Sequence, residues 1–259
     1  MSFGDLHYGD TPLLLPNAWD VASALAFAAA GFPAVGTTSF GVSASGGSPD
    51  AGRTSRDATR ELVHQLRALP AYVTADIEDG YSDDPGEVAD FVATLGAAGV
   101  NIEDSTAEML YDPARHAAKV AAIKAAAPEV FVNARVETYW LKQDATVEAT
   151  ILRARVYVDA GADGIFVPGA TDPSDLEKLA AAIPLPLNVL VVPGLTLARL
   201  GDLGIRRVST GSLPYRAAVD AAVKVAEAVR DGSEVPTATP YPEAQARLEE
   251  YAARLAGHR

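Results

Sequence analysis

Short apolar runs alternate with longer amphipathic stretches from Leu13 almost to the end of the chain. Residues 13–15 form an apolar run closed by Pro16-Asn17, and Asp20 stands where it can cap a helix over 21–30. Residues 32–37 read as the second strand, followed by a Ser- and Gly-rich loop over 38–54. Ser55 is set to cap a helix over 56–69, and 72–76 is the third strand. Pro85, tolerated in a first helical turn, opens a helix to about residue 98. Further strands fall at 100–103, 130–135, 164–168, 187–192 and 207–209. Helical patterns lie between and after them at 112–127, 144–160, 172–183, 196–203 and 214–230.

Strand–helix units in such succession, joined by short connections, predict an α/β fold, a (β/α)8 TIM-type barrel. A doubly wound open sheet is the rival, but the glycine fingerprint of dinucleotide binding is missing after the first strand. Residues 1–235 are assigned to the barrel. Residues 236–259 begin with Pro236, Pro240 and Pro242 and continue as a charged helix over 243–256. This extra C-terminal helix reads as an oligomer contact or as a surface helix.

A length of 259 residues suits one such barrel. Lys and Arg number 21 against 34 Asp and Glu, a formal charge of −13. That balance argues against nucleic acid and anionic membrane as partners, while an anionic small molecule stays compatible with it. The chain has no cysteine, which removes disulfides, thiolate metal sites and a cysteine nucleophile. Neither a signal pattern nor an apolar stretch of roughly 20 residues is visible, so the cytoplasm is the default compartment.

Barrel chemistry sits at the carboxyl ends of the strands. The third strand ends in Asp76, Glu78 and Asp79, the fourth in Glu103 and Asp104, and the fifth in Arg135 and Glu137. Side chains two apart share a face, so Asp76 and Glu78 are expected to converge and to need a cation or a shared proton. Asp76, Glu78 and Glu103 are the candidate metal ligands, and an all-oxygen set suits Mg2+ or Mn2+. Asp79 and Asp104 read as helix-cap or loop acids. Arg135 either pairs with Glu137 or also forks onto a substrate carboxylate. Trp19 is packing or a substrate contact; Asn188, inside an apolar strand, is a pocket amide or a barrel hydrogen bonder. The four histidines lie in tails and helices and are not read as catalytic.

Several stretches carry a resemblance. They are P-N-A-W-D at 16–20, G-F-P-A-V-G-T-T-S-F-G-V at 31–42, S-P-D at 48–50 and A-D-I-E-D-G-Y at 75–81. To these add G-V-N-I-E-D at 99–104, A-R-V-E at 134–137 and A-G-A-D-G-I-F-V-P at 160–168. In this order they resemble the isocitrate lyase/phosphoenolpyruvate mutase superfamily. The resemblance implies a Mg2+-dependent barrel that makes or breaks a C–C or P–C bond beside an α-keto acid. It also implies a homo-oligomer, dimer or tetramer, in which a C-terminal helix is exchanged. By position, Asp76 is similar to the principal metal ligand, with Glu78 and Glu103 holding its waters. Thr38, Ser39 and Phe40 resemble the segment that cradles the oxyanion, Asp50 the acid of the closing loop, and Arg135 the carboxylate clamp.

One segment departs from the family. Its lyases carry a Lys-Lys-Cys-Gly-His type loop after the fourth strand, whereas this chain reads S-T-A-E-M-L-Y-D at 105–112. The reaction implied is therefore lyase chemistry through a metal-stabilised enolate, with Tyr81, Ser105, Tyr111 or a bound water returning the proton. Aldolase- or hydroxymethyltransferase-like bond formation and a non-catalytic oxo-acid binder are the alternatives.

Overall fold

Pro16 divides the first stave of the barrel in two. In the computed structural model, which describes residues 1–258, β1 (Leu13–Leu15) and β2 (Asn17–Ala18) flank it. Proline offers no N–H to a ladder, and the two halves pair on opposite sides. The strands that follow are β3 (Ala34–Thr37), β4 (Tyr72–Asp76), β5 (Gly99–Ile102), β6 (Ser105–Thr106) and β7 (Met109–Leu110). The last four are β8 (Phe131–Arg135), β9 (Gly164–Phe166), β10 (Leu187–Leu190) and β11 (Arg207–Ser209).

The main sheet runs β1-β11-β10-β9-β8-β5-β4-β3-β2 with parallel pairing throughout, and β6 and β7 form a separate antiparallel hairpin. Because β1 and β2 are one stave, the sheet closes on itself, and the TIM-type barrel expected from the sequence is the fold. Asn17 stitches the seam. Its amide nitrogen Nδ2 donates to the Thr37 carbonyl at 2.7 Å, and its Oδ1 accepts from the Gly211 N–H at 2.8 Å.

The helices are α1 (Val21–Ala29), α2 (Ser39–Ser45), α3 (Arg56–Gln65), α4 (Pro85–Ala93), α5 (Pro113–Ala126) and α6 (Thr138–Leu141). They continue as α7 (Val147–Asp159), α8 (Pro173–Ala182), α9 (Leu197–Asp202), α10 (Leu213–Asp231) and α11 (Tyr241–Gly257). Three of them open on the same Asp-Pro pair. Asp84, Asp112 and Asp172 each accept from backbone N–H groups of the first turn, while the proline occupies a position that needs no donor. Asp20 caps α1 in a reciprocal box with Ser23.

A short 3-10 turn, Gly4–Tyr8, plugs the amino end of the barrel. There His7 stacks on Phe131 with ring centroids 4.3 Å apart, and Phe3 packs edge-on against the same ring.

Two local expectations differ from the structure. The loop read over 38–54 contains α2, with Thr38 as its N-cap. Its Gly and Ser content hides it in the sequence; what holds it is close packing, since a Cβ on Gly41 would lie 2.8 Å from that of Trp19. Ser55 does not cap α3 with its side chain; its hydroxyl is committed elsewhere, as described next. No helix among the described residues is long and apolar enough to cross a membrane.

Candidate active site

A hollow of about 500 Å³ opens at the carboxyl ends of the strands. Thr38, Ser39, Phe40, Asp50, Asp76, Glu78, Glu103, Arg135 and Glu137 all line it. Asp76 is the last residue of β4 and Arg135 the last of β8, so the barrel itself aims them.

Glu78 arrives differently from the expectation of strand alternation. The strand has ended, and Glu78 has a left-handed backbone with φ 48°. A turn, not a pleat, brings it to the hollow. Gly80 completes that turn at φ 90°, and a Cβ there would lie 2.7 Å from a Val88 methyl.

Arg135 holds the acids together. Its Nη1 lies 2.6 Å from Glu103 and 3.4 Å from Asp76, and its Nε donates to Glu137 at 2.7 Å. Nη2 makes a longer bond to the same Glu137, at 3.3 Å. The guanidinium also lies 5.1 Å from the centre of the Phe166 ring. Glu78 turns to a second set of donors, Ser55 Oγ at 2.5 Å and the Arg53 backbone N–H at 2.7 Å. Asp76 accepts from the Ser39 N–H at 3.2 Å.

Burial raises the pKa of Glu103 well above the carboxylate range; Arg135 opposes the rise, and Glu137, Asp76 and Asp50 add to it. Glu137, Glu78 and Asp50 are shifted in the same direction, with burial the largest cause in each. Like charges crowded away from water favour a proton or a cation among them.

Asp79 and Asp104 are buried anchors, not caps. Arg53 and Tyr111 bond the Asp79 carboxylate, and Lys119 lies 3.6 Å from it. Asp104 accepts from Arg153 at 2.7 Å, from Tyr157 at 2.6 Å and from the Glu137 N–H at 2.9 Å. Arg53 thereby fastens the segment after Asp50, and Asp104 orients Glu137.

Trp19, Tyr81 and Asn188 do not line the hollow. Trp19 packs edge-on against Tyr215. Tyr81, expected as a reacting group, is buried outside the hollow: its hydroxyl lies 3.0 Å from Ser55 and 3.2 Å from Thr59, and burial pushes its pKa up. Asn188 donates to Ser209 Oγ at 3.1 Å within the barrel. Ser105, by contrast, faces the hollow on the β6–β7 hairpin, whose turn residues Ala107 and Glu108 both have positive φ.

Among the described residues, no three carboxylates or imidazoles stand at ready-made ligand spacing. The reason is local: Nη1 of Arg135 contacts both Asp76 and Glu103, and Glu78 is held back by Ser55 and Arg53. The donor set is nonetheless all oxygen, and burial raises the pKa of Glu78 and Glu103, so it fits a hard divalent cation that keeps several waters.

The sequence profile described as phosphoenolpyruvate phosphomutase matches residues 3–230. An uncharacterized protein of Mycobacterium tuberculosis is 60% identical over 251 residues, 97% of each chain. Oxaloacetate decarboxylase of Bradyrhizobium sp. is 30% identical over 191 residues, 66% of this chain and 65% of that one. Among solved structures, phosphonopyruvate hydrolase in complex with oxalate and Mg2+ aligns with a TM-score of 0.83 at 25% identity, covering 98% of both chains.

Proposed function

The chain belongs to the phosphoenolpyruvate phosphomutase family of lyases and mutases, and from that premise we propose a carbon–carbon lyase acting on a small 2-oxo or 2-hydroxy carboxylate with Mg2+ or Mn2+. The observation that carries this reading is Arg135, buried among Asp76, Glu103 and Glu137 in the hollow that Glu78 also lines.

Asp76, Glu78 and Glu103 would hold the cation, directly or through water. When bound, it supplies Lewis-acid stabilisation of the negative charge that develops on the oxo acid as the bond breaks.

The protein's own part is positioning. Arg135 donates twice to Glu137 and once to Asp76, and its Nη1 also lies 2.6 Å from Glu103. A cation held by Asp76 and Glu103 would draw them off Nη1 and leave it for a substrate carboxylate. Metal and ligand are thus coupled through one guanidinium. Thr38, Ser39 and Phe40 line the same hollow, where the Ser39 N–H donates to Asp76. Asp50, whose pKa is raised by burial and by Asp76, keeps a proton closer to neutral pH than a free carboxyl, and Ser105 also lines the hollow. One of these two returns the proton to carbon after cleavage.

A second reading, binding without turnover, is favoured by the hairpin, which offers Ser105, Thr106 and Glu108 but neither Cys nor Lys.

The test is thermal unfolding with Mg2+, oxalate and both. We expect the pair to raise Tm by more than the two separate shifts added together, and Asp76→Ala to remove that excess in a folded protein. Equal stabilisation by oxalate with and without Mg2+ would defeat the reading. Exchange of pyruvate methyl protons in D2O separates an enzyme from a binder.

We further propose a homo-oligomer, dimer or tetramer, built on α10 and α11. Val219, Val223 and Val229 stand exposed along one side of α10, at 47%, 52% and 66%.

A further inference from the structure

Parallel barrels ordinarily fill their interior with branched apolar side chains. This one carries a polar layer beneath its hollow. At the centre is Arg207, fully buried on β11. In the sheet order β11 and β5 stand four staves apart, across the barrel from each other. Arg207 spans that distance: Nη2 donates to Asn101 Oδ1 at 3.1 Å, while Nε donates to Ser209 Oγ at 3.2 Å. Its Nη1 has no hydrogen-bond partner among the described residues. Asn133 donates to the same Asn101 oxygen at 2.9 Å. Asn101 and Ser209 both reach the wall of the hollow above.

A buried guanidinium whose contacts are neutral amides and a hydroxyl is costly, and an apolar side chain of similar volume would serve packing better. Burial draws its pKa down to about 9 and Asp76 draws it back up, so it stays charged at neutral pH. Above it, Asp76, Glu103 and Glu137 contact Arg135, and Asp50 and Glu78 line the same hollow. Each of those carboxyls that is ionised works against the entry of an anion.

We propose that Arg207 is a positioning residue for anion binding: a fixed positive charge under the floor that acts through Asn101 and Ser209 and lets an anionic ligand settle among the carboxylates. This rests on the oxo-acid reading above.

Calorimetry on Arg207→Met and Arg207→Lys tests it, with Mg2+ alone and with oxalate at saturating Mg2+ as probes. Loss of the charge should leave Mg2+ affinity unchanged or tighten it, and should weaken oxalate at least about tenfold; lysine should keep oxalate within about threefold. A role in packing alone moves both ligands in one direction, so parallel weakening of Mg2+ and oxalate overturns the proposal, as does wild-type oxalate affinity in Arg207→Met. Should Arg207→Met not fold, folded Arg207→Lys decides: retained oxalate affinity supports the proposal, and a loss beyond tenfold overturns it. Oxalate binding by the unaltered protein without any need for Mg2+ sinks the function reading and this inference together; a variant indistinguishable from it sinks the inference alone.

Discussion

His116 carries two ring nitrogens into the protein interior with no hydrogen-bond partner for either among the described residues, its ring edge-on to Tyr157 at 4.5 Å. Burial lowers its pKa from 6.5 to about 4, and His7 behaves likewise. Both are therefore neutral in the folded state at pH values where the unfolded chain is already charged. Their contribution to stability is complete above pH 6.5 and is lost as the pH falls toward 4, at up to about 1.4 kcal/mol per pH unit for each histidine. His116→Phe should keep the ring contact and flatten the fall in urea-unfolding stability between pH 6.5 and 4; an unchanged slope would show that another group sets it. At this scale the sequence was informative about charge and poor about partners. Asp76, Glu78, Glu103 and Arg135 stood out as strand-end groups, and they line one hollow. Asp79 and Asp104 read as helix-cap or loop acids because their cations, Arg53, Lys119 and Arg153, come from remote parts of the chain. A lone asparagine in each of three apolar strands, at 101, 133 and 188, was the available sign of a polar barrel layer.

Elements were more legible than residues. The eleventh strand, Arg207–Ser209, has the limits its apolar pattern predicts, and the Asp-Pro pairs mark three helix starts. Helix α2 escaped because its stability comes from contact with Trp19 rather than from propensity. The turn after β4 shows how strongly one element depends on one residue. Gly80→Ala combines a left-handed backbone with a methyl driven into Val88, and should cost roughly 2–4 kcal/mol in denaturant unfolding. A loss under 1 kcal/mol would mean that the turn readily adopts another conformation. The same variant should weaken Mg2+-linked oxalate binding, because Glu78 and Asp79 sit in that turn.

For the whole molecule, the exposed side of α10 sets a run of apolar side chains against solvent. Val219 and Val223 are one helical turn apart, with Ala222 and Ala226 on the same stripe, and Leu248 of α11 is 43% exposed. Val219→Lys combined with Val223→Lys should convert the assembly to monomer in light scattering, with the far-ultraviolet circular dichroism of the barrel retained. A monomeric parent protein would remove the reason for the substitution and the oligomer proposal with it. Tyr251 already docks α11 onto the chain, its hydroxyl bonded to the Gln65 carbonyl, so the two helices need not share one fate.

Asn17 has a consequence for biosynthesis. Its partners at Thr210 and Gly211 lie more than 190 positions downstream, and the half-stave before it finds its ladder only on Arg207–Ser209. A nascent chain therefore leaves the ribosome as an open sheet with two raw edges, and it can become a ring only once translation has passed the last stave. Until then the amino-terminal strand is a free adhesive end, and a stalled or truncated product is expected to be captured by chaperones or to aggregate, not to persist as a smaller stable barrel.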